Sequence, residues 1–218
     1  MKYRIGDFIV ASELAARAPS QASRHLVAFL RNWDRVAHAV DYGCGKLRYA
    51  PYLATLSNSL TLVDSVDQLD RLQTIDGQRT TMRQYAKRIC PKARVETLLE
   101  FQTKSRPKFD FALCANVLSA IPIKAARSKA LSAIKSRLRS GAHLLVVNQH
   151  ANSFYTDVAK RRGVVRHLDG WLVPNGKSAY YYGILDAKKT SKLLRNSGFQ
   201  VERHWITGQS TYVLVRLR

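Results

Sequence analysis

The residues best suited to chemistry are a glycine turn, Gly43-Cys44-Gly45, and two acids near it, Asp41 and Asp64. Two glycines permit positive φ angles and keep side chains out of the space between backbone and ligand. An acid at the end of a strand can accept hydrogen bonds from both hydroxyl groups of a ribose. These residue types predict a site for an adenosine-type ligand.

Two strands and a helix must position these groups. Ala37–Tyr42 and Leu60–Val63 are short apolar runs typical of buried strands, and the second run ends at Asp64. Leu47–Leu56 between them has helical spacing, with Pro51 suited only to a first turn. The order strand, glycine turn, helix, strand and acid predicts a βαβ unit.

The sequence of the turn separates two kinds of βαβ site. Nicotinamide enzymes carry GxGxxG, and the third glycine position is Arg48 here. The pattern DxGCG after an apolar strand instead resembles the S-adenosylmethionine (SAM) loop of class I methyltransferases. Phe109–Ile121 and Ser140–Gln149 resemble the fourth-strand and fifth-strand segments of that family. The matches follow the family's order over roughly residues 20–218.

The resemblance implies an α/β fold, a Rossmann-like three-layer sandwich whose seven-stranded sheet is mostly parallel with an antiparallel last strand. We expect one domain over residues 1–218, with an N-terminal helical segment at 1–34 and a substrate-side insertion at 150–186. SAM is the implied cofactor. The expected cofactor-binding residues are Asp41, Tyr42, Gly43, Cys44, Gly45, Asp64, Ser65, Asn116 and Arg24.

Two parts of the cofactor site stay open in the sequence. Arg17 is an alternative to Arg24 for the methionine carboxylate, and the favoured interpretation of either one taken alone is an exposed helix arginine. The family often places an acid beside the adenine amino group after its third strand. Glu96 and Glu100 are the available acids, but neither lies in a clear turn, so we assign no residue to the adenine.

The composition predicts a polyanionic partner. Lys and Arg number 36 against 15 Asp and Glu, which gives a formal net charge of +21. Such an excess favours nucleic acid, because each phosphate contact releases counterions and the field accelerates encounter. A solubility surface, or the basic proteome of a particular source, is the alternative.

Other sequence features exclude several classes. The three cysteines lack CxxC spacing, so we expect neither a disulfide framework nor a metal site. No apolar run approaches the roughly 20 residues of a membrane span. We expect a cytoplasmic protein that does not bind membranes, and the sequence leaves its oligomeric state open.

The 150–186 segment interleaves basic and aromatic residues, which can follow a nucleic-acid backbone and stack on bases. An ordinary insertion packed by its own aromatic rings is the alternative. The expected substrate-binding residues are Arg161, Arg162, Arg166, Trp171 and Tyr180.

The catalytic residue is less readable than the cofactor site. Methyl transfer from SAM depends largely on positioning, and a base is needed mainly for a hydroxyl or a protonated amine. The weak candidates in the expected substrate segment are His150, His167, Asp169 and Tyr181, and a structural role is the favoured interpretation of each one taken alone.

Absent motifs narrow the acceptor. Asn116-Val117-Leu118-Ser119 lacks the prolines that shape the pocket of base amino-methyltransferases. Cys114 follows Leu113, not proline, which argues against methylation at cytosine C5. We expect methyl transfer to RNA or DNA through a ring nitrogen or a hydroxyl. The alternatives are a small-molecule or natural-product methyltransferase, and a SAM-binding nucleic-acid-binding protein without transferase activity.

Overall fold

The strands and helices of the protein alternate through most of the chain, and the computed structural model describes residues 2–176 and 178–218. The strands in these residues are β1 (Lys2–Ile5), β2 (Phe8–Ala11), β3 (Val36–Tyr42), β4 (Ser57–Asp64), β5 (Gln73–Ile75), β6 (Gln78–Thr80), β7 (Arg94–Thr97), β8 (Phe109–Ala115), β9 (Leu138–Gln149), β10 (Val165–His167), β11 (Gly170–Asn175), β12 (Ser178–Gly183), β13 (Phe199–Thr207) and β14 (Ser210–Leu217). The α-helices are α1 (Arg24–Arg31), α2 (Ala50–Leu56), α3 (Val66–Asp70), α4 (Met82–Ile89), α5 (Leu98–Thr103), α6 (Lys124–Arg137), α7 (Ser153–Ala159) and α8 (Ala187–Asn196).

The main sheet has seven strands in the order β13-β14-β9-β8-β3-β4-β7. The five strands from β9 to β7 run parallel, whereas β14 is antiparallel to both of its neighbours. Strand order reverses at β3, which pairs with β4 on one side and with β8 on the other. Ligands of open α/β sheets bind at such a reversal, beyond the carboxyl ends of the strands. The predicted sheet is confirmed.

Helices cover both faces of this sheet. Successive residues of β9 alternate between two cores: Leu145 and Val147 lie in a core with α1, α2 and α4, whereas Leu144 and Val146 lie in a core with α6 and α8. Side chains alternate across a strand, so a strand that is apolar at successive positions must be buried on both faces. This arrangement gives the three layers that the sequence predicted.

The N-terminal region corrects the expectation of a helical segment over residues 1–34. Residues 2–11 form the β1–β2 hairpin, and α1 is the only α-helix in the described part of that range. The hairpin turns at Gly6 and Asp7 and adds its second strand in parallel to β12. Buried Val10 packs there with Leu172 and Tyr181. A partner strand about 170 residues away thus fixes this region as strand.

A second sheet forms from the N-terminal hairpin and the later part of the expected insertion, in the order β1-β2-β12-β11-β10. Arg127 of α6 fastens it to the main body by donating hydrogen bonds to the Ile121 carbonyl, to Asp169 and to the Tyr181 hydroxyl at 2.9, 2.6 and 3.0 Å. Gly183 of β12 lies so close to Ser119 that an added Cβ would be 2.7 Å from the Ser119 carbonyl oxygen. The second sheet therefore rests against the segment that follows β8.

In the described residues, every helix is too short or too polar to cross a membrane. Cys44, Cys90 and Cys114 are buried free thiols. The same residues contain no group of three His, Cys, Asp or Glu side chains arranged to hold a metal ion.

Candidate active site

The glycine turn is fixed to the strand beside it. The backbone N–H groups of Gly43 and Cys44 both donate to the Val63 carbonyl, at 2.8 and 3.0 Å. Gly43 has φ +77°, and a Cβ at this position would overlap with Val117 Cγ2. Glycine is required here by the backbone angle and by the close approach of the β8 loop.

Asp64 stabilises the same turn through its carboxylate. One oxygen accepts from the Gly45 N–H at 2.8 Å, and the other accepts from the Ser65 N–H at 2.7 Å. Gln68, which is fully buried, donates from its amide to the Gly45 carbonyl at 2.8 Å. Burial raises the pKa of Asp64, and these backbone hydrogen bonds act in the opposite direction. Each carboxylate oxygen can accept a further hydrogen bond, so both remain available to ribose hydroxyls.

Asp41 adds a second buried carboxylate to the site. Its side chain is 2% exposed and makes no hydrogen bond to the described residues. Burial, followed by the nearby charge of Asp64, raises the pKa of Asp41 to about 7, while Arg48 acts to lower it. Two carboxylates in a poorly solvated site favour a ligand that carries positive charge.

Asn116 marks the end of β8. Its φ is +61°, a left-handed conformation that asparagine tolerates better than most residues. The backbone N–H of Asn116 donates to the Val147 carbonyl of β9 at 2.7 Å. Non-glycine residues in this conformation often occur at functional sites.

These groups surround a first cleft, whose empty space is about 790 Å³ when the part open to solvent is counted. It lies at the carboxyl ends of β3, β4 and β8. The 3₁₀ turn Ser12–Ala15, together with Arg17, covers it from the N-terminal side, and Leu98 lines it beside the end of β7. The sequence did not indicate Glu13, Gln68 or Leu98. Gln68 follows Asp64 by four residues at the start of a helix, and that spacing is the only local indication of its role.

The acids considered for the adenine do not line this cleft. Glu96 is buried and pairs with Arg106 at 3.1 Å. Glu100 forms an ion pair with Lys104 and accepts from the Thr97 N–H in the capping box of α5, and these interactions lower its pKa to about 2. Glu100 is thus already used by the fold, whereas Glu96 is paired through Oε1 and its buried Oε2 has no hydrogen-bond partner among the described residues.

A second cleft adjoins the first and spans a similar 790 Å³. The two clefts share Arg17, Arg48, Tyr49 and Asn116. The second cleft extends over the end of β9, and its other lining residues are Gln21, Ser23, Arg24, His25, Gln149, Tyr155, Gln209 and Ser210. It lies where an acceptor would meet a ligand of the first cleft.

Most of the expected cofactor-binding residues come together in the first cleft. Those that line it are Asp41, Tyr42, Gly43, Cys44, Gly45, Asp64 and Asn116. Ser65 does not line it, because its hydroxyl accepts from the Gln68 N–H and caps α3. Arg24 lines the second cleft, whereas Arg17 lines both.

The expected substrate-binding residues line neither of the two clefts: Arg161, Arg162, Arg166, Trp171 and Tyr180. The Arg166 guanidinium lies 4.7 Å from the centroid of the Trp171 ring. The Tyr180 hydroxyl accepts from the Asn175 amide at 2.9 Å. The basic cluster therefore occupies a surface apart from both clefts.

Three of the four catalytic candidates are engaged by the contacts that hold the second sheet. His167 Nε2 lies 2.7 Å from the Pro122 carbonyl, and Asp169 and Tyr181 bind Arg127. Partial burial acts to raise the pKa of Asp169, but the hydrogen bond and charge of Arg127 hold it below its ordinary value. His150 differs, because its buried Nδ1 has no hydrogen-bond partner among the described residues. These contacts favour structural roles for His167, Asp169 and Tyr181.

The first cleft fits SAM on chemical grounds. Gly43 and Gly45 present backbone without side chains, and Asp64 can accept from the ribose. Asp41 and Asp64 together complement the positive sulfonium and ammonium groups of SAM, and Arg17 can meet its carboxylate.

Sequence comparisons place the chain in a family. Residues 14–204 match the family model of a methyltransferase domain. The protein YmfD of Escherichia coli (strain K12), which is named as uncharacterized, is 34% identical over 215 residues, 99% of this chain and 96% of YmfD.

Solved structures share the fold. A SAM-dependent methyltransferase from Methanosarcina mazei superposes with a TM-score of 0.62 at 16% identity, over 90% of this chain and 98% of its own. The 1,6-didemethyltoxoflavin-N1-methyltransferase of Burkholderia thailandensis, with 1,6-didemethyltoxoflavin and S-adenosylhomocysteine (SAH) bound, gives 0.57 at 17% identity, over 95% and 78%. The N-methyltransferase NodS of Bradyrhizobium japonicum, in complex with SAH, gives 0.58 at 13% identity, over 88% and 84%. The chain therefore belongs to the methyltransferase-domain family and has the fold of the class I SAM-dependent methyltransferases, which supports SAM as its cofactor.

Proposed function

We propose that the protein transfers the methyl group of SAM to a small molecule bound in the second cleft. The observation that carries this proposal is the junction of the two clefts at Asn116 and Tyr49. An acceptor held there adjoins the space for the methyl donor. Class I enzymes work largely by such positioning of the nucleophile.

Methyl transfer from SAM requires little of the protein beyond positioning of the two reactants. When bound, SAM supplies a methyl group on a positively charged sulfur, which an electron pair of the acceptor can displace in line while the sulfur keeps the electrons of the broken bond. Asp41 and Asp64 hold positive charge, and Asn116 fixes the junction of the clefts. His25 lines the second cleft and is placed to accept a proton from an acceptor that must lose one.

One structural neighbour supports a small acceptor directly. The Burkholderia thailandensis enzyme binds 1,6-didemethyltoxoflavin beside SAH, and its fold covers 95% of this chain. NodS is also an N-methyltransferase with this fold. Membership of the family disfavours the alternative of a SAM-binding protein without transferase activity.

A nucleic-acid acceptor is the second candidate, and the formal net charge of +21 is the observation that favours it. The densest basic cluster, Arg161, Arg162 and Arg166, is exposed and free to meet phosphates. It lies outside both clefts, so phosphate binding there would not by itself bring a base to Asn116. The small acceptor is therefore the better supported of the two.

The deciding experiment offers both acceptor classes to the enzyme with SAM carrying a labelled methyl group. A low-molecular-weight metabolite extract is one acceptor, and a pool of RNA and DNA is the other. We expect label in the small-molecule fraction. Label confined to nucleic acid would overturn the proposal.

The basic cluster gives a separate prediction. Replacing Arg161, Arg162 and Arg166 with glutamine should flatten the dependence of nucleic-acid binding on salt, because each lost phosphate contact lowers the slope of log affinity against log salt by about 1. Fluorescence titration at several salt concentrations measures this slope. Glutamines at Lys188, Lys192 and Arg195, exposed on α8, provide a charge-matched control. An unchanged slope in the first variant would show that this cluster does not contact nucleic acid.

A further inference from the structure

The second cleft is lined by cationic side chains and by no acid. Arg17, Arg24 and Arg48 line it, together with His25, and its lining includes no Asp or Glu. Arg17 and Arg24 are exposed, whereas Arg48 is half-buried and its charge also acts on the Asp41 carboxyl of the first cleft. An anion that enters the second cleft would therefore meet guanidinium groups with no acidic side chain in the lining to repel it.

The three arginines differ in how they are held. Arg48 donates to the Gln21 carbonyl at 3.3 Å, and its guanidinium lies 5.1 Å from the centroid of the Tyr49 ring. Arg17 and Arg24 make no hydrogen bond or ion pair with the described residues. Arg17 borders the first cleft as well, so it can serve the methionine carboxylate of SAM. Arg24 lines only the second cleft, so it is available to bind the acceptor.

The rest of the cleft can hydrogen-bond to a polar acceptor. Tyr155 is buried, and burial raises its pKa to about 12 while the charge of Arg17 acts against that rise. The Tyr155 hydroxyl is therefore a donor at neutral pH, and it lies within the field of Arg17. The buried Oε1 atom of Gln149 has no hydrogen-bond partner among the described residues. This oxygen is available to accept from an N–H or O–H group of the acceptor.

We infer that the methyl acceptor is a small anion whose carboxylate or phosphate group is bound by Arg24. Arg17, which can also serve the carboxylate of SAM, contributes to binding the same group. This inference rests on the proposed small-molecule function. Guanidinium groups bind both oxyanions through paired, charge-assisted hydrogen bonds. The bound oxyanion anchors one end of the acceptor, and Asn116 at the junction of the clefts marks where the atom to be methylated must lie.

Binding to the SAH complex tests this assignment with defined probes. Citrate, benzoate and inorganic phosphate are added at constant ionic strength, with benzamide as the uncharged counterpart of benzoate, and the melting temperature is recorded. A ligand of the folded state raises it in a saturable way. We expect saturation with at least one anion and none with benzamide.

Variants locate the binding. Arg24→Gln should weaken the anion about tenfold or more through the loss of a charge-assisted interaction. Arg31→Gln, on the same helix and outside the second cleft, removes the same charge and should leave the affinity unchanged. SAH affinity should be the same in both variants. The inference is overturned if no anion saturates, or if Arg24→Gln binds the anion as tightly as Arg31→Gln does.

A methyl-transfer experiment tests the anionic acceptor separately from the proposed small-molecule function on which it rests. The metabolite extract is separated on an anion exchanger before reaction with methyl-labelled SAM. Label in the retained fraction supports an anionic acceptor. Prior treatment of the extract with phosphatase removes the label from this fraction only if the anion is a phosphate ester. Label in the unretained fraction overturns the anionic acceptor but keeps a small one. Label in nucleic acid alone overturns the proposed function itself.

Discussion

Asp64 has two roles, and the sequence indicates only one of them. Its position after β4 suits hydrogen bonds to ribose, but both of its oxygens also hold backbone N–H groups, at Gly45 and Ser65. The carboxylate thus orders the glycine turn before any ligand binds. Such preorganisation lowers the entropic cost of binding.

Replacement of Asp64 by alanine should weaken SAM binding at least about tenfold, since a charged acceptor is lost and the turn is released. Calorimetric titration with SAM measures this change. Asp67→Ala, an exposed acid at the start of α3, is the control and should bind normally. Equal affinities for the two variants would show that Asp64 does not contact the cofactor.

The raised pKa of Asp41 predicts a pH dependence of SAM binding. At a pH below about 7 the Asp41 carboxyl keeps its proton, and at higher pH it is ionised. A cationic ligand favours the ionised form, so the affinity for SAM should rise as the pH increases through about 7, by at most about tenfold per pH unit. Calorimetry across this range measures the rise. Asp41→Asn should remove it, and its persistence in that variant would assign the dependence to another group.

The same group affects stability with the opposite slope. The pKa of Asp41 is higher in the folded state than its ordinary value of 3.8, so the unfolded chain loses this proton first as the pH rises. The contribution of Asp41 to the free energy of unfolding is therefore complete below 3.8 and is lost as the pH approaches about 7. SAM should restore stability above that range.

Gly43 tests how closely the glycine turn and the β8 loop pack. Gly43→Ala should lower the free energy of unfolding by about 2–4 kcal/mol, from the positive φ and from overlap with Val117. Gly77→Ala is an unusually close control, because Gly77 has the same φ of +77° and nothing within 4 Å of an added Cβ. Urea unfolding measures both variants. Equal losses would mean that the contact with Val117 relaxes freely.

At the scale of elements, one side chain joins the second sheet to the main body. Arg127 is buried and satisfies three acceptors, which lie on the segment after β8, on the turn before β11 and on β12. His167, Asp169 and Tyr181 all lie around this junction. These contacts favour roles in assembly, which residue type alone could not distinguish from catalytic roles.

Arg127→Met should cost about 3–5 kcal/mol of unfolding free energy, because it leaves buried acceptors without a donor. Lys129→Met, exposed on the same helix, should change stability by less than about 0.5 kcal/mol. Urea denaturation of the two proteins gives the comparison. Similar midpoints would show that the second sheet docks without this contact.

At the scale of the whole molecule, the formal net charge does not show how acidic and basic side chains are distributed between the two clefts. The formal net charge is +21, but the first cleft combines Asp41, Asp64 and Glu13 with Arg17, Lys46 and Arg48, whereas the second contains arginines and no acid. The first cleft thus suits a ligand that carries charges of both signs, and the second favours an anion. A basic surface also raises the local concentration of an anionic acceptor.

Contiguous sequence determined the fold family, the cofactor and most of the first cleft. The run from β3 to Asp64 contains the strand, turn, helix and acid within about 30 residues, so local spacing is enough to define it. The β1–β2 hairpin was readable in principle, because Gly6-Asp7 separates two short strand-like runs. Its pairing with β12 was not, since no local pattern specifies a partner so far along the chain.

Only the tertiary structure decided where the second cleft lies and what it contains. Arg24, the pair Gln149 and Tyr155, and Gln209 come from three distant parts of the sequence, and the end of β9 and the start of β14 bring them together at the start of α1. The basic residues near position 161 looked more suitable for a substrate because they are dense in sequence. The sequence shows where basic residues are clustered along the chain, but the strand order of the sheet decides which of them face a cleft. That strand order arises from contacts between residues that are distant in the sequence.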